Sequence, residues 1–181
     1  MKKDIPILAY HSFNTALFPA SKLAIEPELF AKQMSFLKTR GYEVCGLASC
    51  AENSGTQGLW GRRVALTFDD GYLDNYLEAV PVLREMKFPA TFFVTADSIE
   101  WPGFMTWSML KEMAAVPGIE VGSHGLFHKP LADIPEREAR ESVVASKKTL
   151  EDKLGVKIRA FSYPSGSFND RVVELVRQSG Y

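Results

Sequence analysis

Short apolar runs and longer periodic stretches alternate along the chain. The short runs are rich in β-branched and aromatic residues and predict strands, whereas apolar residues that recur every three or four positions predict helices. The predicted strands are Ile5–Tyr10, Tyr42–Cys45, Arg63–Phe68, Ala90–Thr95, Ile119–Gly122 and Ile158–Tyr163. The predicted helices are Pro27–Arg40, Asn75–Lys87, Trp107–Ala115, Pro135–Leu154 and Asn169–Gln178. This alternation is typical of an α/β fold whose helices connect the strands of a largely parallel sheet or barrel.

Three residues indicate where helices begin, break or end. The Thr106 hydroxyl can cap the helix that begins at Trp107, and Gly155 suits the C-terminal cap of the longest helix. Pro81 lies inside the predicted helix 75–87. Since proline cannot donate a backbone hydrogen bond, we expect a kink or a second helical piece there.

The composition predicts one globular domain over residues 1–181. Hydrophobic residues make up 46% of the chain and charged residues 24%, which suffices for a buried core. Lys and Arg number 21 against 22 Asp and Glu, so the net charge of −1 indicates no nucleic-acid partner. No stretch approaches the roughly 20 apolar residues of a transmembrane helix. The oligomeric state is left open.

The N-terminal segment and the cysteines bear on the cellular compartment. The apolar run Ile5–Tyr10 is too short for a signal-peptide core and is interrupted by Pro6. The chain as written is therefore expected to be cytoplasmic, or extracytoplasmic if a leader has been removed. Cys45 and Cys50 have neither a redox nor a zinc-binding spacing and are expected to be reduced or partly buried thiols.

Two adjacent carboxylates directly follow a predicted strand. Asp69 and Asp70 come after the apolar run 63–68, and Gly71 allows the chain to turn there. Neighbouring residues of a strand point to opposite faces, so both carboxylates face one site only if the strand ends between them. Active sites of βα folds collect at the C-terminal ends of the strands. The tripeptide Asp-Asp-Gly also occurs in solvated turns, which is the alternative.

Two of the three histidines of the chain, His124 and His128, lie four residues apart after another predicted strand. In a helical turn this spacing puts both imidazoles on one face, where they can bind one cation. Incidental surface or core histidines are the alternative. Together with a carboxylate, the pair would form a three-ligand site with open coordination positions, as catalytic metal sites have.

Three segments resemble motifs of the polysaccharide deacetylase family, which is carbohydrate esterase family 4 with its NodB homology domain. The segment 67–71 with Tyr72, Asp74 and Asn75 resembles the first motif, and Ala90–Val94 resembles the strand that follows it. The segment 123–128 resembles the metal-binding motif, although Gly125 replaces the usual Ser or Thr.

The resemblance implies a fold, a metal and an activity. The implied fold is a distorted (β/α)7-type barrel, so we expect a single NodB-like catalytic domain that is C-terminally incomplete and lacks its last strand. Asp70, His124 and His128 would bind a divalent metal, with zinc expected and nickel, cobalt or manganese as alternatives. Asp69 would be the general base in the hydrolysis of N- or O-acetyl groups.

A further segment, 159–168, resembles the third family motif, which contains Arg-Pro-Pro-Tyr-Gly. Pro164 and Gly166 match it, but Ser162 occupies the arginine position and Ser165 the aromatic position. The Ser165 backbone amide can still serve as an oxyanion donor, because a main-chain N–H does not depend on the side chain. Tyr163, Pro164 and Trp107 are the expected substrate contacts. For Trp107, a place in the core is the alternative.

His11 is the candidate general acid. No histidine follows His128, and Tyr10-His11 resembles the N-terminal pair of the circularly permuted branch that deacetylates poly-N-acetylglucosamine. His11 would protonate the leaving amine or orient Asp69, with a simple strand-end histidine as the alternative.

The sequence therefore predicts a metal-dependent hydrolase that removes N-acetyl groups from a polysaccharide or glycan amino sugar. Two alternatives remain open, an O-acetyl esterase on xylan-like glycans and a non-catalytic carbohydrate-binding relative.

Overall fold

Parallel strands whose two faces are both apolar form the centre of the fold. The computed structural model describes residues 5–13, 23–48 and 62–181. Its strands are Ile7–Tyr10 (β1), Ser12–Phe13 (β2), Ala24–Ile25 (β3), Glu43–Val44 (β4), Arg63–Phe68 (β5), Ala90–Val94 (β6) and Ile119–Ser123 (β7). Its α-helices are Pro27–Thr39 (α1), Val80–Met86 (α2), Trp107–Ala114 (α3), Glu136–Leu154 (α4) and Asp170–Gln178 (α5). Every residue of β5 and β6 is buried, as expected for strands covered on both faces.

The strand order brings four strand ends to one edge. The main sheet has the order β1-β5-β6-β7 with all neighbours parallel, and β4 pairs with the start of β5. Because parallel strands end at the same edge, the residues that follow them meet there. These residues are His11, Asp69, Thr95 and His124.

The predicted α/β fold with a parallel sheet is confirmed, and the sheet is consistent with part of a distorted barrel. The predicted strand 158–163 is wrong, because only one bridge, between Phe161 and Ser123, forms there. Backbone hydrogen bonds from Ser123 to Ala160 and from Ser162 to Ser123, both 2.9 Å, still fasten this segment beside β7. Among the described residues, β1 and β7 are not paired with each other.

The local helix predictions are confirmed. The Thr106 hydroxyl accepts a hydrogen bond from the Met109 N–H at 3.2 Å, and Gly155 adopts the left-handed conformation after α4. The predicted helix 75–87 divides into a π-helical segment, Asn75–Ala79, and α2, which has Pro81 in its first turn. Pro81 therefore begins a second helical piece.

Aromatic rings pack around Phe68, the last residue of β5. The Phe68 ring stacks on Phe92 at a centroid distance of 4.5 Å and on Tyr10 at 5.2 Å, and Phe30 meets Phe68 edge-on at 5.8 Å. All four residues are buried. This packing fixes the strand end from which Asp69 emerges.

The expectation of free thiols is wrong for Cys45. This buried residue is disulfide-bonded, which removes it as a reactive thiol. Cys50 lies outside the described residues. In the described ranges, we find no helix of the length and apolarity needed to cross a membrane.

Gly122 is the position in β7 where a larger side chain should disturb the packing most directly. A Cβ atom there would lie 2.5 Å from Cδ1 of Phe93, a buried ring that cannot swing away. We expect Gly122→Ala to destabilise the protein by about 1–3 kcal/mol, the usual range for overpacking. Thermal unfolding measures the effect. Gly46→Ala is the matched control, because no atom lies within 4 Å of its added Cβ, and an equal loss in both variants would contradict the expectation.

Candidate active site

The two aspartates leave β5 through a tight turn. The strand ends at Phe68, before both carboxylates and not between them. Asp70 and Gly71 both have positive φ angles, 73° and 89°, and the Asp70 carbonyl accepts a hydrogen bond from the Thr95 N–H at 3.3 Å. A left-handed aspartate is uncommon and is held by its surroundings. The turn buries the Asp70 side chain at the end of the sheet.

The two histidines meet in a loop, so the expected helical turn is wrong. Residues 124–128 follow β7 without helical structure, and Gly125 has a φ of 81°. The Ser142 hydroxyl accepts from the Leu126 N–H at 3.0 Å, and the Ser123 hydroxyl from the Gly125 N–H at 3.1 Å. The loop still places the imidazoles of His124 and His128 at a centroid distance of 5.1 Å. Glycine fits here because an added Cβ would lie 2.9 Å from the Ser142 Oγ.

Asp70, His124 and His128 form a group that could hold a metal ion. Their ligand atoms all lie within 4.8 Å of one another. Oδ1 of Asp70 lies 3.5 Å from Nε2 of His124 and 3.2 Å from Nε2 of His128. This oxygen is buried, and none of the described residues donates a well-oriented hydrogen bond to it.

The protonation state of His124 shows that the group fits a cation. Nδ1 of His124 lies 2.9 Å from the Ser162 carbonyl oxygen, which can only accept, so Nδ1 carries the proton. Burial lowers the pKa of His124 to about 4, so the ring is neutral and its Nε2 lone pair faces Asp70. Two facing acceptors repel each other unless a cation lies between them. Imidazole nitrogens and one carboxylate are the donor set of catalytic zinc sites.

The charges of the other two ligands depend on each other. Burial acts to raise the pKa of Asp70, but the nearby His128 and His124 outweigh it, and the pKa is lowered. The contact with Asp70 raises the pKa of His128. The carboxylate is therefore ionised, as a metal ligand must be.

Asp69 lies beside this group with an unsatisfied oxygen. Its Oδ1 is buried and has no hydrogen-bond partner among the described residues, whereas Oδ2 accepts a long hydrogen bond of 3.5 Å from the Ser162 hydroxyl. Burial raises the pKa of Asp69 to about 6, with His11 acting against the shift. An unpartnered carboxylate oxygen of this kind can accept a proton from a bound molecule.

His11 lies at the same edge of the sheet. It is half-buried and near enough for its charge to lower the pKa values of Asp69 and Asp70. The Tyr10 carbonyl accepts from the Asp69 N–H at 3.0 Å, which joins the two strand ends. The structure thus brings His11 together with the predicted base and ligands.

The third motif lies against the loop 124–128, which carries the two histidines. Pro164 is buried, and its Cγ would lie 3.6 Å from a Cβ on Gly125. Ser165 is exposed and left-handed, with a φ of 57°, in a 3-10 turn. Tyr163 is half-buried and its ring contacts Phe161 and Phe168. Ser162, which sequence reasoning treated only as a missing arginine, contacts both Asp69 and His124.

A cavity of about 220 Å³ opens beside the Asp-His-His group. Its lining residues are Asp70, Tyr72, Thr95, Ser98, Phe104 and His128. Thr95 and Ser98 were not predicted from the sequence, although Thr95 could have been found as the residue that follows β6. Trp107 is not among the lining residues; it packs against the core, with Lys153 Nζ 5.6 Å from its ring centroid. A larger cavity of about 730 Å³ lies between β1 and α1, away from these groups.

Comparison with known proteins identifies the family. The family model described as polysaccharide deacetylase matches residues 58–181. The chain belongs to the polysaccharide deacetylase family. This finding confirms the resemblance read from the motifs, and the Asp-His-His group lies within the matched residues.

Two curated relatives of this polysaccharide deacetylase chain match along nearly its whole length. YxkH of Bacillus subtilis, a polysaccharide deacetylase by name, is 29% identical over 98% of this chain and 62% of its own length. The poly-beta-1,6-N-acetyl-D-glucosamine N-deacetylase of Escherichia coli K12 is 22% identical over 96% of this chain and 32% of its own. The chain thus spans less than two thirds of either relative.

Solved structures show the same fold. IcaB from Ammonifex degensii superimposes with a TM-score of 0.87 and 31% identity, covering 99% of this chain and 82% of that one. The deacetylase PplD of Streptococcus pyogenes, determined in complex with acetate, superimposes with a TM-score of 0.87 and 27% identity. The match covers 98% of this chain and 80% of that one. A Bacillus anthracis protein described as a pseudoenzyme of this family superimposes with a TM-score of 0.56 and 25% identity. The match covers 63% of this chain and 39% of that one. The family therefore also has members described as pseudoenzymes.

Proposed function

We propose that this chain is a metal-dependent N-deacetylase that hydrolyses N-acetyl groups on the amino sugars of a glycan or polysaccharide. One observation carries the proposal: Asp69, with an unsatisfied buried oxygen, lies directly beside the convergent group of Asp70, His124 and His128. A carboxylate base next to a three-ligand group is the arrangement that metal-assisted hydrolysis needs.

Asp70, His124 and His128 would hold the ion, and their oxygen and imidazole ligands favour zinc. Nickel, cobalt and manganese also accept such ligands. When bound, a divalent ion of this kind polarises an acetyl carbonyl and makes water acidic enough to attack at neutral pH. The remaining requirements fall on the side chains and amides around it.

The chain supplies a base, an acid and an oxyanion donor at one edge of the sheet. Asp69 takes a proton from the attacking water while the water oxygen bonds to the acetyl carbon. The Ser165 N–H donates to the oxyanion, and the exposed left-handed turn leaves that amide open to a ligand. His11 donates a proton to the sugar nitrogen as the C–N bond breaks, which gives acetate and a free amine.

The relatives support a glycan substrate. The E. coli relative is named for N-deacetylation of poly-beta-1,6-N-acetyl-D-glucosamine, and PplD was determined with acetate, the product that deacetylation releases. Pro164 lies against the loop 124–128, and Tyr163 precedes it in the chain, so both are candidates to contact a sugar. Trp107, which packs against the core, is the weaker of the expected substrate contacts.

Acetate release by the purified, zinc-loaded chain tests the proposal. N-acetylglucosamine oligomers with β-1,6 or β-1,4 linkages should release acetate, whereas acetylated xylan should release little. Acetate from xylan alone would replace the proposal with the O-acetyl esterase alternative. The same constellation can hydrolyse esters, so only the comparison of substrates separates the two activities.

Ser162 favours a second candidate, a carbohydrate-binding relative without turnover. The serine lacks the charge that an arginine would place beside Asp69, and its hydroxyl contact is long at 3.5 Å. A chain that binds zinc and glycan oligomers but releases no acetate would support this candidate. Acetate release by the zinc-loaded chain would exclude it.

Replacing His11 by alanine should lower kcat on N-acetylglucosamine oligomers by about 100-fold, the usual contribution of one general acid or base. Zinc content should stay at the wild-type level, because His11 is not part of the Asp-His-His group. Steady-state acetate release and metal analysis measure both quantities. A variant with full turnover would show that His11 is only a strand-end histidine.

A further inference from the structure

A buried polar pair lies beside the proposed site but makes no contact with the three candidate metal ligands. Asp74 and Asn75 are 1% and 0% exposed. Burying a carboxylate and an amide is costly unless hydrogen bonds compensate for the lost water. Burial raises the pKa of Asp74 to about 6, with the N–H groups of Phe13 and Asn75 acting against the shift. The fold therefore bears the free-energy cost of desolvating both side chains, which suggests a role for them beyond packing.

The side chains of this pair hold the segment that carries His11. Asn75 Nδ2 donates to the His11 carbonyl oxygen at 2.7 Å, and the Phe13 N–H donates to Asp74 Oδ2 at 2.9 Å. Asn75 Nδ2 also donates to Asp74 Oδ1 at 3.0 Å, which links the two side chains. The backbone is thus held by hydrogen bonds on both sides of Ser12, at His11 and at Phe13.

The pair does not serve its own helix. Asp74 precedes the π-helical segment 75–79, yet its side chain makes no capping hydrogen bond to that segment. Oδ2 accepts from the distant Phe13 N–H instead, and Oδ1 accepts from the side chain of Asn75, the first residue of the segment. A helix-capping role therefore does not account for Asp74.

The same short stretch of chain also carries the base and one ligand. The Asp69 N–H donates to the Tyr10 carbonyl at 3.0 Å, so residues 69–75 contact the backbone at Tyr10, His11 and Phe13. Any movement of this stretch moves Asp69, Asp70 and the His11 backbone together. This connection sets the spacing between the backbone segments that carry the proposed acid and base.

We propose that Asp74 and Asn75 are positioning residues that hold the His11 imidazole in register with Asp69 for proton transfer. The proposal rests on the proposed function, in which His11 donates the proton to the leaving amine. Small displacements of a reacting group can cost about 100-fold in rate. The pair should therefore affect kcat more than KM, because neither side chain lines the cavity beside the Asp-His-His group.

Asn75→Ala tests the proposal on N-acetylglucosamine oligomers. We expect kcat to fall by about 10- to 100-fold with KM within about twofold and full zinc content, since the ligands stay in place. Asp74→Ala should behave alike, whereas Asp74→Asn keeps an oxygen for the Phe13 N–H and should recover part of the loss. If Asn75→Ala does not fold, Asn75→Asp sets an acceptor against the His11 carbonyl and serves the same comparison.

Asn169→Ala is the matched control. Asn169 caps α5 through a 3.0 Å hydrogen bond from the Val172 N–H, so this variant loses one hydrogen bond and some thermal stability without touching the His11 segment. Its kcat should equal that of the wild type. Equal kcat losses in both variants would overturn the proposal, because they would reflect stability alone.

An NMR readout separates this proposal from the proposed function. With three histidines in the chain, the ring signals can be assigned by substitution. Asn75→Ala should shift or broaden the His11 signal and leave those of zinc-bound His124 and His128 in place. An unmoved His11 signal would overturn the proposal. If the wild type releases no acetate, the proposed function fails, and the His11 signal alone decides whether the pair positions this residue.

Discussion

Replacing Asp69 by asparagine is expected to reduce acetate release from N-acetylglucosamine oligomers by about 1000-fold or more, within the range for loss of a general base. The amide side chain has nearly the same shape but cannot accept the proton of the attacking water. Asp69 is adjacent to the Asp-His-His group without belonging to it, so zinc content should not change. Steady-state kinetics and metal analysis on the same sample measure both.

Asp152→Asn is the matched control for this substitution. Asp152 lies on α4 with 62% of its side chain exposed, and its ion pair with Lys148 is a surface contact. The control should have wild-type kcat and KM. If Asp69→Asn retained comparable turnover, Asp69 would not be the base.

Replacing His128 by alanine is expected to abolish the stabilisation that zinc gives the wild-type chain. At a zinc concentration 100-fold above Kd, binding stabilises a folded protein by about 2.7 kcal/mol. For a domain of this size, that corresponds to a rise in Tm of roughly 5–10 °C. His128→Ala removes one of three ligands, and thermal unfolding with zinc and with chelator should then give the same Tm.

His128 is the better ligand to remove because 45% of its side chain is exposed, whereas His124 is buried. The variant should therefore fold, so that loss of the zinc effect can be attributed to the site. His11→Ala is the matched control and should keep the full shift. A zinc shift that survived in His128→Ala would show that the ion binds elsewhere.

The strand ends were the part of the site that the sequence could predict. An apolar run followed by chemically active residues identified Asp69, Asp70 and His124, because parallel strands end at one edge of a sheet. His11 was predicted from the resemblance of Tyr10-His11 to the circularly permuted branch of the family, and it too lies directly after β1. Within the described residues, hydrophobic periodicity located the five predicted helices to within one or two residues, apart from the division at Pro81.

The details of the turns could not be predicted, because they depend on contacts between distant parts of the chain. The left-handed Asp70 is held by the N–H of Thr95, which directly follows β6. Residues 124–128 avoid a helical turn because Ser142, on α4, binds the Leu126 N–H. Although Thr95 ends a predicted strand, no local pattern in the sequence shows that Thr95 or Ser142 makes these contacts.

The contacts of several polar residues within the motifs could not be predicted either. Ser162 stands where the family has arginine, and only the fold shows that it touches both Asp69 and His124. Asp74 and Asn75 were read as part of a motif, but their hydrogen bonds reach across more than 60 residues to the His11 segment. Cys45 was misjudged because spacing alone does not reveal a disulfide bond.

Acetate release from poly-N-acetylglucosamine by the zinc-loaded chain, measured with and without chelator, tests whether the chain is a metal-dependent N-deacetylase. We expect acetate and an equal amount of free amine, both lost on chelation and restored by zinc. A folded, zinc-loaded chain that releases no acetate from any N-acetylated glycan would contradict it, as would release that is unchanged by chelation.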